Sequence, residues 1–212
     1  MIASRFSSFL SVMLIATATL FASGTAAQNT TQGKFVEVKP PQPTEPGKVE
    51  VLEFFSYGCP HCAVLEPMVA EWAKKQPPDV VVRHVPVAFN AGMKPLQQLY
   101  YSLEALNRQD LHPKVFAAIH QEKKRIFTKP AIVDWVASQG VDRAKFESMF
   151  DSFGIQSNIQ RANQLVQDYK IDGTPTLAVA GRYLTSPSTA GGYRESVVEA
   201  DALVKRVQAS RK

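Results

Sequence analysis

Cysteine is scarce in this sequence: two residues in 212, Cys59 and Cys62, with two positions between them. That scarcity excludes the disulfide-dense scaffolds of small secreted domains. It also excludes a zinc finger or ribbon, which draws its four ligands from two well-separated pairs. There is no second cysteine pair, and His84, His112 and His120 lack ligand-like spacing. Each reads as a surface or hydrogen-bonded core histidine, so no metal is expected. Beyond the N-terminus there is no long apolar run, and no later segment is expected to cross a membrane. A basic stripe interleaved with stacking aromatics is missing too, so no nucleic-acid role is expected. The net charge of +5 is scattered, and its densest cluster, Lys123-Lys124-Arg125, reads as a solvated helix end. With 45% hydrophobic and 20% charged residues, the chain as a whole is neither disordered nor a coiled coil. No internal repeat is visible.

The first residues are organised differently. Arg5 precedes an apolar stretch from Phe6 to Phe21, followed by the small residues Ala22 to Ala27. A basic start, a short apolar core and a small-residue exit predict a signal peptide over 1–27. Cleavage is expected after Ala27, with Ala26 or Gly24 as alternatives. An uncleaved anchor is the competing reading, since the stretch is near the lower limit for a membrane span. Residues 28–47 form a polar lead-in with Pro40, Pro41, Pro43 and Pro46. Within it, Lys34 to Val38 alternates like an edge strand.

Lys48 to Ser56 reads as a buried strand, with Val49, Val51, Leu52, Phe54 and Phe55 interrupted by Glu53. Helical spacing follows from Cys59 to Gln76, with Val64, Leu65, Met68, Val69 and Trp72 expected on one face. Pro67 inside it should kink the helix. Val80 to Val87 is a second buried strand, which implies a parallel pair joined by a right-handed crossover. From Asn90 to Lys170 only helical patterns appear, five in number, with Asp142 capping the fourth. A strand from Thr174 to Ala180 then turns at Gly181 into Arg182-Tyr183-Leu184. Small residues from Ser186 to Gly192 read as a loop before an amphipathic C-terminal helix. The expected fold class is therefore α/β, with a sheet domain from 48–89 and 171–212 interrupted by an all-helical insertion over 90–170. Some eighty residues are too many for a loop.

The chemistry concentrates in Cys59-Pro60-His61-Cys62. In the chain-entropy model, closing so short a loop stabilises by roughly 2 kcal/mol, less than half the value for a long loop. The spacing therefore favours a reactive pair over a structural staple. Cys59 stands where a buried strand turns into a helix, so helix-start amides and the helix dipole favour its thiolate. His61 adds positive charge when protonated, and Pro60 fits the first helical turn. Cys62 lies one turn further in and is expected to be less exposed. Anything that stabilises the thiolate stabilises the reduced form and makes the disulfide a stronger oxidant. Glu53 has two readings: a strand carboxylate facing solvent, or a buried acid that relays protons to Cys62.

These residues resemble a known family. Val51-Leu52-Glu53-Phe54-Phe55-Ser56-Tyr57-Gly58-Cys59-Pro60-His61-Cys62 is similar to the active-site segment of the DsbA family of thiol:disulfide interchange proteins. Gly173-Thr174-Pro175-Thr176-Leu177, with Gly181-Arg182-Tyr183, is similar to its cis-proline strand and hairpin. The resemblance implies a thioredoxin fold with an inserted helical subdomain and a cis peptide between Thr174 and Pro175, whose loop binds substrate. It also implies a periplasmic oxidant of folding exported proteins with free cysteines, reoxidised by a DsbB-like, quinone-linked membrane protein. No cofactor beyond the Cys59–Cys62 disulfide is implied. Where some relatives place a lysine near the buried glutamate, this sequence has Val82-Arg83. The nearest rival is a disulfide isomerase or reductase. The dimeric isomerases carry an N-terminal dimerisation domain, for which the short lead-in leaves no room, so a monomer is expected. A peptide- or metal-binding module with an idle disulfide is the rival from another class.

Overall fold

The structure is a computed structural model, and it describes residues 33–211. The expected signal peptide lies outside these residues. A five-stranded sheet runs in the order β1-β5-β4-β2-β3. Its strands are β1 (Val36–Glu37), β2 (Val49–Phe55), β3 (Val80–Pro86), β4 (Thr176–Val179) and β5 (Tyr183–Thr185). β2 pairs in parallel with β3, and α1 (Pro60–Ala73) forms the crossover between them. The remaining pairs, β2 with β4, β4 with β5 and β5 with β1, are antiparallel. The edge strand expected between Lys34 and Val38 is thus present, though only two residues long.

Alternation along β2 divides the core in two. Val49 and Val51 face Leu65, Val69 and Trp72 of α1 and the apolar stripe of α8 (Tyr193–Ala209). Leu52 and Phe54 point the other way, into a core shared with the helices that lie between β3 and β4. Those helices are α2 (Lys94–Ala105), α3 (His112–Phe116), α4 (Lys129–Ser138), α5 (Arg143–Phe150) and α6 (Phe153–Asp168). α3 runs on into a wider π-type turn, Ala117–Gln121. The Asp142 cap is as read, its carboxylate accepting from the Lys145 amide at 2.8 Å. The insertion therefore packs directly on one face of the sheet. Among the described residues no helix is long and apolar enough to cross a membrane.

Two local expectations need correction. α1 continues through Pro67, but the face it buries is Cys62, Leu65, Glu66, Val69 and Trp72; Val64 and Met68 are exposed. Hydrophobicity alone misassigned the stripe, because a carboxylate occupies one of its buried positions. The stretch from Ser186 to Gly192 also contains a helical turn, α7 (Pro187–Ala190). The Ser186 hydroxyl accepts from the Thr189 amide at 3.1 Å, and Gly191 closes the turn at φ 90°.

Candidate active site

Cys59 is the residue at which β2 gives way to α1. Its backbone is extended (φ −90°, ψ 116°), and Pro60 takes the first helical position. Proline has no amide hydrogen, so the first free donors of the helix belong to His61 and Cys62. A serine or aspartate at this position would accept from such amides through its side chain. Here the helix start has no side-chain cap, and the residue in that place carries a sulfur. The Cys62 thiol does most to lower the Cys59 thiol, to about 5, and half-burial opposes it. The Cys62 amide, the Thr174 side chain and the His61 amide add to the lowering.

Cys62 is the opposite case. It is fully buried, and the Ser56 amide donates to its sulfur at 3.5 Å. Burial, reinforced by the neighbouring Cys59, pushes its thiol up. Both cysteines are free thiols, so this is the dithiol state. One sulfur is thus an accessible anion at neutral pH and its neighbour a sheltered, protonated thiol.

Cys59 Sγ lies 3.3 Å from the Thr174 carbonyl oxygen, across 115 residues of chain, and donates to it when protonated. The Thr174–Pro175 peptide is cis. The β4–β5 hairpin holds this loop in place. Its turn puts Ala180 and Gly181 at positive φ, 52° and 69°. At Gly181 a Cβ would meet the Gln42 carbonyl oxygen at 2.1 Å, so the lead-in crosses the hairpin where only glycine fits. A cleft of about 830 Å3 lies beside this loop, lined among others by Val38, His61, Pro175, Leu184 and Tyr193.

The His61 imidazole was expected to support the Cys59 anion. Instead its Nδ1 lies 2.6 Å from the Tyr193 hydroxyl, and the two rings stack at 6.2 Å. The backbone amide of His61 is what acts directly on the sulfur. Tyr193 went unnoticed in the sequence. The available signal was an aromatic directly after Gly191-Gly192, at the first residue of α8.

Glu53 faces inward, fully buried, which rules out the solvent-facing alternative. It lies beside His84 in the parallel register, with His84 Nε2 at 3.3 Å. Burial, and then Glu66, raise its carboxyl to about 8. Burial lowers His84 to about 4, so the contact joins two neutral groups near pH 7. His112 accompanies them, its Nδ1 2.7 Å from the Tyr57 hydroxyl, while His120 meets the Tyr57 carbonyl at 2.7 Å. His112 is buried without being the fully hydrogen-bonded core histidine of the sequence reading, because its Nε2 has no hydrogen-bond partner among the described residues; nor has that of the partly exposed His84.

A family model described as Thioredoxin matches residues 44–199. The thiol:disulfide interchange protein DsbA of Bordetella parapertussis is 58% identical over 203 residues, covering 95% of this chain and 96% of that protein. The chain belongs to the DsbA family. The DsbA of Pseudomonas aeruginosa is 38% identical over 202 residues, covering 94% of this chain and 96% of its own. Its crystal structure superposes with a TM-score of 0.80 over 85% of this chain and 95% of that one. DsbA1 of Neisseria meningitidis, at 28% identity, gives 0.75 over 84% and 94%. The fold is accordingly the thioredoxin fold carrying helices α2 to α6 between its halves. As a DsbA-family member the protein is an enzyme, a protein thiol:disulfide oxidoreductase.

Proposed function

We propose that this DsbA-family enzyme works as an oxidant, donating its Cys59–Cys62 disulfide to exported proteins as they fold. The observation that carries this reading is the unequal pair of sulfurs, one whose thiol is lowered to about 5 and one buried and protonated. A substrate thiolate attacks Cys59 Sγ, the Cys59–Cys62 bond breaks, and Cys62 leaves and takes up a proton. A second substrate thiolate then attacks the substrate sulfur of the mixed disulfide and expels Cys59 as its stable thiolate. Two substrate thiols become one disulfide, and two electrons remain on the enzyme.

The Thr174 carbonyl beside the sulfur and the adjoining cleft suit an extended substrate segment laid along the Pro175 loop. Glu53, on β2 three residues before the Ser56 amide that contacts Cys62, is the group through which the departing thiol exchanges its proton. Glu53→Gln should slow mixed-disulfide turnover several-fold in chelator-treated protein; unchanged single-turnover kinetics would remove Glu53 from the mechanism. The redox equivalents travel in the disulfide, with no bound cofactor. The expected signal peptide supports a periplasmic setting, and a DsbB-like, quinone-linked membrane protein would restore the disulfide.

The test is the ultraviolet thiolate absorbance of the reduced protein, with Cys59→Ser as the blank. A midpoint near pH 5, together with a mostly reduced enzyme at moderately oxidising glutathione poise, supports the oxidant. A midpoint above 8 would leave the isomerase or reductase reading standing. Loss of dithiol oxidation in Cys59→Ser separates either from a mere binding module.

A further inference from the structure

Four polar side chains from four elements converge: Glu53 of β2, Glu66 of α1, His84 of β3 and His112 of α3. Single ligand atoms of Glu66, His84 and His112 lie within 4.8 Å of one another. His84 Nε2 is 3.3 Å from a Glu53 oxygen, and His112 Nε2 is 4.0 Å from a Glu66 oxygen. Both Glu53 oxygens and both Nε2 atoms lack a hydrogen-bond partner among the described residues. Glu53 is completely buried, and His112 is 6% exposed. Polar atoms so placed are costly unless something pairs with them. Among the described residues, the ion-pair contacts of Glu53 and Glu66 are with these histidines alone.

We propose that this cluster is a binding site for one divalent transition metal ion of the zinc type, with Glu66, His84 and His112 as ligands and Glu53 as the fourth, charge-balancing carboxylate. Two imidazole nitrogens with carboxylate oxygens are a donor set suited to Zn2+ and its neighbours rather than to Ca2+ or Mg2+, which favour all-oxygen shells. Tetrahedral Zn2+ with bonds of about 2.0–2.1 Å sets its ligand atoms about 3.4 Å apart, so atoms separated by up to 4.8 Å would close by roughly 1.5 Å on binding. The Tyr57 hydroxyl, 2.7 Å from His112 Nδ1, fixes that ring with Nε2 directed into the cluster. A hydrogen bond on the second ring nitrogen orients a metal-bound imidazole in the same way. His84 is the most exposed of the four side chains, at 27%, although its Nε2 is buried. The linear spacing of the histidines concealed the site, because its ligands come from four separate elements of the chain. A bound ion would tie the active-site helix and the sheet to the helical insertion.

The experiment uses tag-free protein in the disulfide form, so that neither cysteine can ligate. After chelator treatment and dialysis, Zn2+ uptake is titrated against a chromophoric chelator, and Tm is recorded with and without Zn2+. The expected result is one Zn2+ per chain and a raised Tm, with Glu66→Gln and His84→Gln each weakening binding at least tenfold. Co2+ in place of Zn2+ should give visible bands of nitrogen–oxygen coordination. Absence of uptake by the wild type at micromolar Zn2+, or equal uptake by both variants, overturns the proposal. The wild-type stoichiometry decides the matter even if a variant fails to fold. Because the readout is binding, the result is independent of the redox direction proposed above.

Discussion

His61→Ala separates two ways of holding the Cys59 thiolate. A hydrogen bond to a charged group contributes about 1.5–3 kcal/mol, and the Cys62 thiol and the amides of Cys62 and His61 all remain when the ring is removed. An exposed imidazole acting through solvent contributes about 1 kcal/mol or less. The structure gives the ring a different partner, Tyr193, at 2.6 Å. The thiolate midpoint of His61→Ala should therefore rise by about 0.7 pH unit or less, equivalent to about 1 kcal/mol or less, and stay far below the value of about 8.5 for free cysteine. The measurement is absorbance of the reduced variant against pH. A midpoint near 8 would show that the imidazole, and not the helix start, carries the stabilisation. Tyr193→Phe is a second check at this scale: the midpoint should move by less than the His61→Ala shift, since its hydroxyl reaches the ring and not the sulfur.

At the scale of elements, the hairpin that presents Thr174 to Cys59 depends on one small residue. Gly181→Ala combines a positive φ with a Cβ placed 2.1 Å from the Gln42 carbonyl oxygen. Left-handed backbone alone costs an alanine about 1 kcal/mol, and displacing Gln42 adds to that. The variant should lose roughly 2–3 kcal/mol in urea unfolding, and the Pro40–Gln42 segment should become more sensitive to proteolysis. Unchanged stability would mean that the lead-in does not need to pass so close. Such elements were largely legible in the sequence. The apolar runs of β2 and β3, with helical spacing between them, announced the parallel pair; the Thr174-Pro175 and Gly181 signals announced the hairpin. The failures have local physical causes. α1 buries Glu66 and exposes Val64 and Met68, so a count of apolar residues pointed the helix wrongly. α7 carries ordinary start and stop signals, Ser186-Pro187 and Gly191, but four residues are too few to show a helical period.

What could not be read locally was assembled at the scale of the molecule. His61 and Tyr193 stand 132 positions apart, and His112 reaches Tyr57 across 55. Nothing in either neighbourhood marks the partner. The Cys59 anion has a consequence at the same scale, for the stability of the two redox forms. The disulfide form has no thiol to ionise, so only the reduced form responds to its titration. Cys59 is lowered to about 5 in the folded protein, against about 8.5 when unfolded. A depressed acid stabilises the fold fully above its unfolded pKa, and that contribution disappears as pH falls through 5. Cys62 has the opposite sign: its folded pKa is raised, so it weakens the reduced form only above about 8.5. The stability of the reduced form relative to the oxidised form should therefore climb from pH 5, peak near pH 8 to 9, and then decline. Two pH units of ionisation at pH 7 amount to about 2.7 kcal/mol, or about 2 kcal/mol once solvent screening at a half-exposed sulfur is allowed for. By the same cycle, that makes the disulfide about 40 mV more oxidising than an unperturbed pair. Urea unfolding of both forms at pH 4, 7 and 8.5 measures the effect. If the gap between the two forms is the same at all three values, the Cys59 anion contributes nothing to the oxidising power of the fold.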